Sequence, residues 1–223
     1  MQDNTKKFIT KSALIALAGY LLSGPVSVAL VIWLFPQPAW TSVPVFVEHY
    51  HVLQNLPYYF GPLLIGGMLM LMAGHYRVVE EAHKNRALFA LALSAAFAAL
   101  IFFNYICQTT FVHNLATHYR PEYDAPIAAF SMVNPVSLCW AIEMWGYGIL
   151  GVATWLLAPV YRGKSGTIRY LLVLNGWMSV AGGVFTAIDA GWVQQPAGLA
   201  AYSLWNVLMI VLMVALYRFW KKG

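Results

Sequence analysis

The sequence predicts an all-α protein: a polytopic transmembrane helical bundle of about six spans, with both termini in the cytoplasm. Three observations carry that expectation. Of the 223 residues, 61% are hydrophobic and only 9% charged, against roughly 25% charged in soluble domains. A water-soluble fold of this length still exposes much of its chain and could not hide so much apolar surface. Six segments are also apolar over the roughly 20 residues that a spanning helix needs. Finally, the basic residues are confined almost entirely to alternate connections.

The segments follow in order. Met1 to Ser12 is mostly polar and carries Lys6, Lys7 and Lys11. The apolar run after it, about residues 13–35, is too long for a signal-peptide core and is read as a retained first span. Residues 36–57 form an aromatic, apolar outer connection with Trp40, Phe46 and Tyr50, expected to lie in the interface as a short helix. The second span covers about residues 58–75 and the third about 87–110. Between the third and fourth, residues 111–135 hold acidic and histidine side chains, and Ile127 to Met132 could form a short helix ended before Pro135. The remaining spans are about 136–160, 168–190 and 199–220, which makes the whole chain, residues 1–223, one transmembrane domain. Runs this long and continuous exclude barrel strands, which alternate, and helices satisfy their own backbone in hydrocarbon. Trp33, Tyr58, Tyr59, Tyr161, Tyr170, Trp192, Tyr217 and Trp220 fall near span ends and read as interfacial anchors.

Orientation follows from the basic residues. The N-terminal tail has Lys6, Lys7 and Lys11. The second-to-third connection has Arg77, Lys84 and Arg86. The fourth-to-fifth has Arg162, Lys164 and Arg169, and the C-terminus has Arg218, Lys221 and Lys222. Of the 13 basic residues, Arg120 alone stands on the other side. The asymmetry places both ends inside and requires an even number of spans. The formal charge of +5 therefore reflects topology. No basic run interleaved with stacking aromatics points to nucleic acid, which is rejected as a partner.

Ionisable groups inside a membrane are costly, so each marks a functional hypothesis. Glu143 lies about seven residues into the fourth span, roughly 10 Å below its outer end. Trp140 and Tyr147, at i−3 and i+4, share its face. Asn104 and Gln108 repeat at i, i+4 on the third span, and Asn206 follows Trp205 on the sixth. Helical rise puts Asn104, Glu143 and Asn206 at similar depth, with Gln108 one turn further out. Asp189, at the outer end of the fifth span, would cap this constellation. The plainer alternative is that Asn and Gln only join helices by hydrogen bonds, with Glu143 as neutral glue.

The leading functional reading is a pocket in the outer half for an amphipathic or lipid-like small molecule, which transport or sensing could use. Trp140, Tyr147 and Trp205 would hold the apolar body, and Glu143, Gln108, Asn104 and Asn206 would orient its polar group. A second reading is an enzyme of lipid isomerase or cyclase type, with Glu143 and Asp189 as an acid–base pair. A third is a structural subunit, whose partner would be a second copy or a larger membrane complex. No cofactor is implied. His49, His51, His113 and His118 all fall on the outer side and are weak metal candidates. His113 and His118 are five apart, off the i, i+4 pairing that clamps a metal on one helix face. His49 and His51 face one way only in an extended chain. His75 and His83 lie at the cytoplasmic edge and His113 at the outer edge, so depth argues against paired haem ligands. Cys107 and Cys139 lack metal-type spacing and are read as buried free thiols, with a disulfide between them geometrically conceivable.

The pattern Asn134-Pro135, then Ala141-x-Glu143-x-x-Gly146-Tyr147, Ala158-Pro159 and Ile168-Arg169 resembles one in small uncharacterised bacterial multi-pass membrane proteins. It covers about the C-terminal half. The resemblance implies a six-helix bacterial inner-membrane protein, carries no assigned activity, and adds weight to Glu143 and Tyr147.

Overall fold

The computed structural model describes residues 2–222. It contains six helical stretches long and apolar enough to cross a membrane: Asp3–Leu34, Val52–Val78, Glu81–Thr117, Leu138–Tyr161, Gly166–Ile188 and Pro196–Lys222. The chain is a multi-pass helical membrane protein. Consecutive spans pack side by side and the first also meets the sixth, so the six close into a ring. An even number of crossings brings the first and last spans to one end of the bundle. There Lys6, Lys164 and Lys222 line a common groove. The opposite end, termed outer below, carries the short helices Val43–Glu48 and Asp124–Phe130 and their own small core of Val43, Phe46, Val112, Ala116 and Ile127.

Local sequence explains where helices start and bend. Ser137 caps the fourth span by accepting from Trp140 N at 3.1 Å, and Ser165 caps the fifth by accepting from Ile168 N at 3.3 Å. The first span kinks at Gly24-Pro25, where proline supplies no backbone donor and Gly24 leaves helical geometry at φ −103°, ψ −110°. The third span runs beyond the expected end near residue 110. A π-turn over Cys107–Val112 absorbs one extra residue and the helix continues as His113–Thr117. Residues 111–117, the first part of the stretch expected as an outer connection, therefore belong to the third span.

Small residues set the helix spacing. A Cβ on Gly19 would strike the Leu64 backbone and one on Gly67 the Ala16 backbone, so the first two spans touch nearly backbone to backbone. Gly61 lies under the Tyr105 ring, and Gly183 packs against Trp145. Gly66 and Gly182 differ from this packing role: nothing lies within 4 Å of a Cβ at the first, and only Trp192 Cζ2 at 3.9 Å at the second. Tyr161 departs from its reading as an interfacial anchor. It is 1% exposed, because it meets His75 inside the bundle.

Candidate functional site: a carboxyl group inside the ring

Four spans, the second, third, fourth and sixth, build the surroundings of Glu143. On the third, Asn104 and Gln108 are one turn apart, both buried, and Gln108 Nε2 donates to Asn104 Oδ1 at 3.1 Å. Gln108 Nε2 also donates to Phe130 O at 2.9 Å, and its Oε1 accepts from Met132 N at 3.0 Å. One side chain thereby ties the outer loop to the span. Asn104, oriented by that bond, gives its amide to Glu143 Oε2 at 2.7 Å, and Tyr105 donates its hydroxyl to Glu143 Oε1 at 3.2 Å. Both carboxyl oxygens are engaged by neutral groups. Among the described residues no Lys, Arg or His forms an ion pair with Glu143.

Aromatic side chains surround the carboxyl. Tyr147, one turn further along the fourth span, lies within electrostatic reach of Tyr105 and packs edge-on against Phe97 and Trp205, each with centroids 5.2 Å apart. Tyr58 stacks obliquely on Tyr105 at 5.3 Å, and Tyr58 and Tyr202 both lie within electrostatic reach of Glu143. Trp205 is held by its indole N–H, shared between Asn175 Oδ1 at 3.0 Å and Ser179 Oγ at 3.1 Å on the fifth span. Glu143, Tyr58, Tyr147 and Trp205 are all half-buried, whereas Asn104, Tyr105 and Gln108 behind them are buried. The supporting layer is closed and the front layer keeps open surface.

The structure joins Asn104, Gln108, Glu143, Tyr147 and Trp205 in this way. The other expected members have different attachments. Asn206 accepts from Tyr20 OH at 2.7 Å on the seam between the first and sixth spans, and donates to Tyr202 O. Trp140 sends its indole N–H to Ala190 O at 3.0 Å, bracing the loop after the fifth span. Asp189 is exposed in that loop, accepting from Gly191 N at 3.0 Å and Gln195 Nε2 at 2.7 Å. None of the hydrogen bonds of Glu143 goes to Asp189.

The outer histidines are held apart. His49 Nδ1 bonds Val45 O and His118 Nδ1 bonds Asn114 O. His51 caps the turn Val52–Asn55 and stacks on Phe35 at 3.9 Å. His113 Nδ1 meets Tyr50 OH at 2.9 Å. Burial pushes the Tyr50 phenol up to about 12, with the Asn55 bond opposing. Tyr50 thus keeps its proton at neutral pH, shares a hydrogen bond with His113 and accepts from Asn55 at 2.8 Å. Among the described residues no group of three or more His, Cys, Asp or Glu converges as a metal site would. Cys107 and Cys139 are free and buried, within electrostatic reach of each other.

Beneath the outer loops lies a cavity of about 30 Å³ whose lining includes Gln37, Tyr50, Gln54, Asn55, Tyr58 and Gln108. A water molecule needs roughly 10–15 Å³ measured this way, so the space suits one or two waters. Its lining includes Tyr58 and Gln108, which both belong to the Glu143 surroundings. Tyr58 and Tyr105 are the members that spacing did not reveal. Tyr58 sits near a span end, where tyrosine ordinarily serves as an anchor. Tyr105 lies about 100° around the helix from Asn104 and is off the i, i+4 face. A wider arc, covering both positions that two carboxyl oxygens can reach, would have included it. No protein-family model, curated protein or solved structure matches the chain.

Proposed function

We propose that this chain is an integral membrane protein that binds a small amphipathic or lipid-like molecule at Glu143, in the outer half of the bundle, and that transport or sensing builds on that site. The observation supporting this reading is the bonding state of the carboxyl group. A carboxylate accepts about four hydrogen bonds, and Asn104 and Tyr105 supply two. Glu143 as a residue is half-buried, and this reading gives its remaining acceptor capacity to a ligand's polar group. Hydrogen-bonded glue between helices needs only Asn or Gln, and an ionisable residue is a costly way to achieve it.

The ligand's apolar body would lie against the half-open faces of Tyr58, Tyr147 and Trp205. The 30 Å³ cavity is far below the roughly 300–1,000 Å³ of an enclosed small-molecule pocket. Its role in this reading is to supply water, and the amphipath lies outside it. The test is a thermal-shift and binding panel of single-chain amphipaths with cationic, neutral and anionic headgroups, run on wild type and Glu143→Gln. Binding by the wild type and its loss in the variant are expected. Equal binding by both proteins would sink the reading.

The same proposal puts the protein in a bacterial inner membrane with both termini cytoplasmic, on the strength of the basic asymmetry. A reporter fused after Lys222 should signal cytoplasm, and one inserted near Glu122 should signal the outside. A cytoplasmic signal at Glu122 would overturn the topology.

A further inference from the structure

Three lysines from distant parts of the sequence meet at the basic end of the bundle. Lys6 comes from the start of the first span, Lys164 from the turn between the fourth and fifth, and Lys222 from the end of the sixth. With Phe219 and Trp220 they line a groove of about 460 Å³. Its wall is apolar over most of its area, and its only charged lining groups are these ammoniums. Lys164 also faces the Glu80 carboxylate at 2.7 Å, so one anion already stands at the rim.

The wall is held in place from behind. Trp220 donates its indole N–H to Tyr161 OH at 2.9 Å, and Tyr161 in turn bonds the ring of His75. The Trp220 ring also packs edge-on against Phe219 at 5.4 Å. An aromatic wall fixed in this way lines the groove with little further ordering cost on binding.

We infer that this groove binds one anionic phospholipid, its phosphate between Lys6, Lys164 and Lys222 and its acyl chains along Phe219 and Trp220. Three ammonium groups on one groove make it a place where an anion is favoured. A phosphate oxyanion takes charge-assisted hydrogen bonds from such groups. The apolar wall decides the class of ligand. A free phosphate in water gains nothing from Phe219 and Trp220, whereas a lipid buries its chains there at the depth where its headgroup reaches the lysines. Basic pockets between spans on the cytoplasmic side bind acidic headgroups in this manner.

The purified chain in neutral detergent is titrated with phosphatidylglycerol, phosphatidylcholine or inorganic phosphate, following thermal stability and bound lipid by native mass spectrometry. The test variant is Lys6→Gln/Lys164→Gln/Lys222→Gln, with Glu80→Gln added so that no carboxylate is left unpaired at the rim. Lys84→Gln/Arg86→Gln, on the same side but outside the groove, is the control. Phosphatidylglycerol should be retained and stabilise the wild type and the control, and lose about fivefold in apparent affinity for each groove lysine removed. Stabilisation by phosphatidylcholine equal to that by phosphatidylglycerol would overturn the inference, as would full stabilisation by inorganic phosphate alone. So would a groove variant that still binds like wild type. If the combined variant does not fold, Lys6→Gln and Lys222→Gln are read singly, and wild-type affinity in both would overturn it equally.

Discussion

Two titratable side chains lie inside this bundle near opposite ends, and their surroundings differ in one decisive respect. His75, near the basic end, is 0% exposed. Its Nδ1 bonds Leu71 O at 2.7 Å and its Nε2 meets Tyr161 OH, which accepts in turn from Trp220. Leu71 O can only accept, so Nδ1 carries the proton and Nε2 receives the one from Tyr161. A single neutral tautomer satisfies every group, and nothing is left for a ligand. Glu143, in the outer half, is half-buried and takes two donors where about four would fit. Membrane depth alone would rank the two equally as functional candidates. Residual bonding capacity and exposure separate them, and the proposal that Glu143 is a site rests on that difference.

The largest effect that can test this contrast is at Glu143. Replacing it by Gln keeps the shape and one acceptor but removes the charge. Amphipath binding should fall on the order of 10- to 100-fold, the worth of a hydrogen bond to a charged group, with the melting temperature nearly unchanged. A large stability loss with binding intact would reverse the assignment of roles.

His75→Leu should do the opposite. Tyr161 OH loses its acceptor in a dry interior, at a cost of roughly 1–3 kcal/mol. Denaturation in detergent should show that loss, while amphipath affinity stays at the wild-type value. Unchanged stability would mean that Tyr161 finds another partner and that the basic end is more plastic than its bonding suggests.

The smallest effect lies between the loops of the basic end. The Lys164 hydrogen bond and charge hold the exposed Glu80 carboxyl below its usual range. A group with a lowered folded-state value contributes stability above its unfolded value and loses it as pH falls through the folded one. The contribution should therefore be present at neutral pH and fade in acid, and Glu80→Gln should flatten that slope slightly. Because the pair is exposed, high salt should shrink the difference between the two proteins. A pH profile identical in both at low salt would remove the pair from the account.

The residues differ in how far their roles were legible in the sequence. Span number, order and approximate bounds depend on local hydrophobicity and length, because the bilayer imposes a fixed apolar thickness on each segment separately. The i, i+4 pairing of Asn104 and Gln108, and the depth of Glu143, follow from helix geometry within one segment. Partner choice does not, since it depends on how helices rotate against one another. Only the tertiary structure gave Glu143 to Asn104 and Tyr105, sent Trp140 to Ala190, and left Asp189 in an exposed loop with Gly191 and Gln195. It also turned Tyr161 from the interface into the core to meet His75, and brought Lys6, Lys164 and Lys222 to one groove from opposite ends of the chain. The bilayer acts on each segment's composition, whereas a site is made where several segments meet. Their rotation is set by the close approaches of Gly19 and Gly67 and by buried polar groups that must each find a partner.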